Sequence, residues 1–171
     1  MGFYALKILR RIILSLSDDF GPKPLIPALR PVWNALFPLT EPAIRVATGL
    51  FVMPHGAQKL FGWFGGAGLE ATQQVFATKM GLPPEMAILA GLTEFIGGLG
   101  LALGLLTRLS AVMVAGAMAV AVGVIYFQFG KGFFGQTGGF EYPLLLCILA
   151  LAFVIRGGGH CSLDRLLGRE I

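Results

Sequence analysis

Residues 43–64, AIRVATGLFVMPHGAQKLFGWF, limit what this chain can become more than any other stretch. At ~1.5 Å rise per residue, a helix over these 22 residues covers about 33 Å, enough to cross the hydrocarbon core of a bilayer. The same stretch carries Arg45, His55 and Lys59. At ~100° per residue Lys59 lies about 40° from each of the other two, so all three share one helix face. Ionisable groups are costly in lipid, and that face is expected to look inward, toward partner helices or a polar cavity.

The remainder of the chain agrees with a membrane setting. Of 171 residues 56% are hydrophobic and only 13% are charged, with a mean hydropathy of +0.78. A soluble domain carries roughly 25% charged residues. The net charge of +4 does not point to nucleic acid, because the basic residues flank apolar segments. Anionic lipid headgroups are the expected partner. Two cysteines, Cys147 and Cys161, are separated too widely along a helix to bond, and no CxxC occurs, so two free thiols are expected.

Four spans are read from the pattern, over residues 43–64, 85–106, 109–129 and 141–156, giving an all-α integral membrane four-helix bundle. Residues 1–17 carry Lys7, Arg10 and Arg11 within an apolar run. They are too short and charged to span and lack a small-residue cleavage site, so an amphipathic helix lying in the interface is expected. Prolines at 22, 24, 27, 31, 38 and 42 predict an extended or turn-rich surface segment up to the first span. Residues 1–42 thus form one region, 43–156 the membrane domain and 157–171 a cytoplasmic tail. Residues 65–83 read as a polar connection. Lys and Arg gather before the first span, at Arg108 and after the fourth, which places both termini in the cytoplasm of a bacterial inner membrane. Glycines at 91, 97, 98, 100 and 104, with the alanines of the third span, supply the small residues that close helix packing in lipid requires.

Counted from the outer surface, His55, Lys59, Glu94 and Glu141 fall in the same half of the bundle. Gly91, Gly97 and Gly98 flank Glu94 and leave room around its carboxylate. Two chemistries fit such a cluster. Lys59 with Glu94 or Glu141 can form an ion pair that fixes helix rotation, with His55 hydrogen-bonded beside it. Alternatively, the group is a site for a polar or redox ligand such as a quinone headgroup, with His55 and Glu94 as the candidate catalytic pair that donates, accepts or moves a proton. One histidine and scattered carboxylates lack metal-ligand spacing, so no metal is expected. Arg45 reads as a snorkelling anchor at the cytoplasmic end, and His160 as a surface residue.

Several motifs occur in a fixed order: R-x3-G from Arg45, HGxQKLFGWFGG from His55, EFIGGLGLxLGLxTR from Glu94, GGFEYPLLL from Gly138, and Ser162-Leu163-Asp164 after a glycine run. This order resembles the DoxX family over residues 41–166. The resemblance implies a small four-helix inner-membrane protein. It also implies an oxidoreductase association, since one branch is named for a thiosulfate:quinone oxidoreductase subunit and a mycobacterial member is tied to an oxidative-stress complex. It places Arg45, His55, Lys59, Glu94 and Glu141 at the family's polar motif positions.

Three functions are therefore expected in order. The first is a quinone-linked membrane subunit working with a soluble redox partner. The second is a non-catalytic scaffold or chaperone that docks partners on residues 1–40. The third, a small-solute or lipid transporter, needs oligomerisation with further copies of the chain to make a path. No flavin, haem or nucleotide motif is present, so a redox role requires electrons from something bound.

Overall fold

The computed structural model describes residues 25–169, and the expected interfacial helix over residues 1–17 lies outside them. The chain falls into two compact units, residues 1–37 and 38–171. In the described part of the first, a turn of 3-10 helix, Pro27–Leu29, leads into the beginning of α1. Its large apolar side chains, among them Trp33 and Phe37, are exposed.

Helix α1 is Arg30–Phe61, and it differs from the expected turn-rich segment before residue 43. Pro38, Pro42 and Pro54 all lie inside the helix. Each deletes one i→i−4 hydrogen bond, but each proline ring already has helical φ, and the remaining bonds carry the helix through. The helix ends at Phe61 rather than at residue 64 because Gly62 turns left-handed, with φ 70°.

The second unit continues with α2 (Gly68–Lys79), α3 (Glu85–Leu103), α4 (Thr107–Gly123), α5 (Glu141–Arg156) and the short α6 (Leu163–Leu167). No strand occurs among the described residues. Helix α2 occupies most of what reads from sequence as a loop; Glu70 in its first turn and Lys79 in its last oppose the helix dipole correctly. Helix α3 stops three residues before the expected end, at the left-handed Gly104. Helix α4 starts two residues early and widens into an i→i+5 turn over Val124–Gln128. Only α5 has the expected bounds.

Pro27–Phe61, Glu85–Leu103 and Thr107–Gln128 are long and apolar enough to cross a membrane. With 16 residues, or about 24 Å, α5 is shorter than a ~30 Å hydrocarbon core. Val52 of α1, Leu101 of α3, Val114 and Met118 of α4, and Leu146 and Phe153 of α5 nonetheless meet in one buried core. Outside that core Leu, Ile, Val and Phe side chains are widely exposed, as expected where lipid, not water, is the solvent. The fold is an all-α helical membrane bundle.

The glycines of α3 are spent on contact. A Cβ on Gly98 would sit 2.7 Å from the Met53 backbone nitrogen and 2.9 Å from the Gly49 carbonyl oxygen. A Cβ on Gly91 would enter Leu60, and one on Gly97 would lie 3.0 Å from Met113. The space expected around the Glu94 carboxylate is thus filled on these sides by α1 and α4. Cys147 and Cys161 are free thiols.

Candidate functional site

Two polar centres lie at different places in the bundle. In the first, Lys59 near the end of α1 donates to and pairs with Glu94 of α3. The Glu94 side chain is 7% exposed and that of Lys59 28%, so the carboxylate is sealed while the ammonium reaches a solvent-accessible space. Thr72 of α2 is buried beside them, its hydroxyl donating to the carbonyl of Gly68, with a longer contact to that of Lys59. The pair lines a cleft of about 410 Å³ between α2, α3 and α4. Phe76, Met80, Met86, Met113, Val120 and Phe129 are among its walls, and among its lining residues only Lys59 and Glu94 are charged.

The second centre gathers at the other end of α3. A helix leaves its first N–H groups and last carbonyls without partners, and here those groups are satisfied by side chains from elsewhere in the chain. Arg45 is 1% exposed and donates from Nη1 to the carbonyls of Leu101 and Ala102, 2.7 and 2.8 Å, at the end of α3. Its Nη2 donates to the Cys161 carbonyl at 2.8 Å. Arg108 donates to the carbonyls of Val154 and Ile155, both at 2.7 Å, at the end of α5. Asp164 does the reverse for α4. It accepts from the backbone N–H of Leu106 and Thr107, at 2.7 and 2.8 Å, and from the Thr107 hydroxyl at 2.6 Å. Cations thus sit on helix C-termini and an anion on an N-terminus, each matched to the helix dipole. Gly104 permits the approach, because a Cβ there would overlap the Arg45 guanidinium and Ser162.

The four residues read as one cluster, His55, Lys59, Glu94 and Glu141, are therefore distributed. Lys59 and Glu94 come together. His55 is exposed and packs edge-on against Tyr142, with ring centroids 5.9 Å apart, while the Tyr142 hydroxyl donates to the Phe51 carbonyl at 3.2 Å. It does not line the cleft. Glu141 accepts from the Gly135 N–H at 2.9 Å and ties down the loop before α5. Arg45 is no snorkelling anchor: it is buried, and two carbonyls at the end of α3 together with that of Cys161 hold its guanidinium. The expected tail is likewise not free over its described residues, 157–169: Ser162 and Asp164 are buried against the turn joining α3 to α4. Asp164 was not among the expected site residues, although the Ser-Leu-Asp motif contains it. Among the described residues no group of three His, Cys, Asp or Glu side chains could hold a metal ion.

An all-helical bundle with exposed apolar flanks and a charged pair set inside it defines a helical integral membrane protein. The chain belongs to the DoxX family, whose profile matches residues 42–128. It is 41% identical to an uncharacterized protein of Haemophilus influenzae, over 71% of this chain and 85% of that one. It is 33% identical to the "Putative oxidoreductase CatD" of Bacillus subtilis, over 77% of this chain and 89% of the relative. It is 34% identical to the inner membrane protein YqjF of Escherichia coli, over 64% and 82%. No solved structure matches the chain.

Proposed function

We propose that this protein is a redox-associated inner-membrane subunit that takes a quinone headgroup at the Lys59–Glu94 pair. The observation that carries this reading is a cleft of about 410 Å³ with apolar walls and one ion pair in its lining. That volume lies within the ~300–1,000 Å³ of small-molecule sites, and such sites are mostly apolar with a few placed polar groups. The donor set fits a quinone: an ammonium to donate to a ring oxygen, a carboxylate to carry a proton, and an apolar wall for ring and tail.

A bound quinone supplies a two-electron acceptor. The chain's own part is to hold the headgroup, exclude water and move protons. Lys59 releases part of its bond to Glu94 and donates to the ligand, and Glu94 takes up and delivers a proton at its carboxylate. Electrons come from a soluble partner protein. The name of the B. subtilis relative supports the redox link, and that of the E. coli relative supports the inner membrane. In this reading α5 is the fourth crossing, and the arginine-rich end, with both termini, faces the cytoplasm.

A structural role for the same pair is favoured by the burial of Glu94, and one experiment separates the two. Wild type and Glu94→Gln are purified in detergent, their bound lipids are extracted for mass spectrometry, and both are melted. Quinone in the wild type, at least about tenfold depleted in a variant that melts within a few degrees of it, is the expected result. Absence of quinone from the wild type, with a variant that melts far lower, makes the pair a helix lock and leaves a scaffold.

A further inference from the structure

Beside the buried Asp164 lies a second hollow, of about 450 Å³, which the cleft chemistry does not use. Arg156, His160, Arg165 and Arg169 line it, together with Ser162 and Asp164. The anion in this set is already committed, because both Asp164 oxygens accept from the start of α4. Arg156 is held at 2.8 Å by Glu41 yet stays 66% exposed along its side chain. Neither Arg165 nor Arg169 has an ion-pair partner among the described residues. Among the described residues, the hollow is concave and cationic, with fewer anions than cations.

Its setting narrows what would fill it. Ile155 and Leu166, each next to one of these arginines in sequence, are 79% and 82% exposed, and Leu167 beside them is 65% exposed. Apolar side chains at the end of a membrane bundle belong at the boundary of acyl chains and headgroups, and the adjoining guanidinium groups then lie at phosphate depth. A guanidinium fork presents paired N–H donors that match phosphate oxygens.

We propose that this hollow binds a phosphate anion, supplied by the headgroup of an anionic phospholipid. Arg165 and Arg169 clamp the phosphate, and Arg156 joins them by exchanging Glu41 for it. The exposed leucines of α6 rest against the acyl chains. This site is independent of the Lys59–Glu94 cleft.

The test uses the full-length protein, stripped of lipid in detergent and titrated with dioctanoyl phosphatidylglycerol or dioctanoyl phosphatidylcholine. Bound lipid is read by native mass spectrometry. Wild type is expected to prefer the glycerol lipid, and Arg165→Gln/Arg169→Gln to bind it about tenfold more weakly with an unchanged melting temperature. Lys79→Gln/Lys131→Gln serves as the charge-matched control and is expected to bind as wild type does. Glu41→Gln, which releases Arg156, is expected to tighten binding a few-fold, a gain that poor folding does not mimic. Displacement of the lipid by millimolar inorganic phosphate would keep the phosphate site and make free phosphate its ligand. Equal binding of both lipids, or a double arginine variant that binds phosphatidylglycerol like wild type, overturns the proposal.

Discussion

Asp164 satisfies three donors at the start of α4 that the turn before it cannot reach. Leu106, the residue in the capping position, is left-handed at φ 44° and has no side-chain oxygen to offer. Hydrogen bonds to a charged acceptor contribute ~1.5–3 kcal/mol each, and removing the acceptor leaves buried donors unmet. Asp164→Ala is therefore expected to cost about 2–4 kcal/mol, a fall of about 5–15 °C in melting temperature for a chain of this size. Asp164→Asn keeps one accepting oxygen and is expected to lose about half as much; a melt of both variants that overlays wild type would remove Asp164 from the structural account. Sequence reading could place Arg45 near a helix end but not its partners. The carbonyls it meets belong to residues 56 and 116 positions away, and no local pattern announces them. An ion pair between Lys59 and a carboxylate was legible, because opposite charges at matched depth in lipid have few other partners, but the choice of Glu94 over Glu141 was not.

At the level of helices, small residues decide how closely α1 and α3 approach. The Gly98 position admits no Cβ without backbone movement, whereas a Cβ on Gly123 would meet nothing within 4 Å. Overpacking costs ~1–3 kcal/mol. Gly98→Ala is thus expected to melt about 3–10 °C lower, and Gly123→Ala to melt with the wild type or slightly above it. Equal melting of the two alanine variants would mean that α1 and α3 are not held by this contact. Helices long and apolar enough to cross a membrane occur at three of the four expected spans, and their ends were less legible. Gly62 and Gly104 stop helices that the apolar run alone would carry further. Helix α2 was hidden because only Thr72 of it is buried. A helix with so small an apolar demand leaves little periodicity to read.

For the molecule as a whole, the cleft and the arginine-rich end are separate assemblies: the first uses Lys59 and Glu94, the second Arg45. The second depends on residues 157–169 folding back, which composition alone presents as a tail. Truncation after Gly158 removes the Cys161 carbonyl from Arg45 and Asp164 from α4 together. Such a chain is expected to insert but to melt at least about 10 °C lower, and to be cleaved faster by trypsin at Arg108. Wild-type protease resistance in the truncated chain would show that the turn holds without its cap.

The capping of α4 by Asp164 also carries a consequence for biosynthesis. The acceptor for the Thr107 N–H is 57 residues further along the chain. At ~5–20 residues per second of translation, Thr107 waits about 3–11 s after it is made before its capping partner is synthesised. The membrane domain therefore passes through an interval in which its apolar segments are all synthesised but one end is still open. The truncated chain is a stable copy of that interval. What closes it is made only after α5.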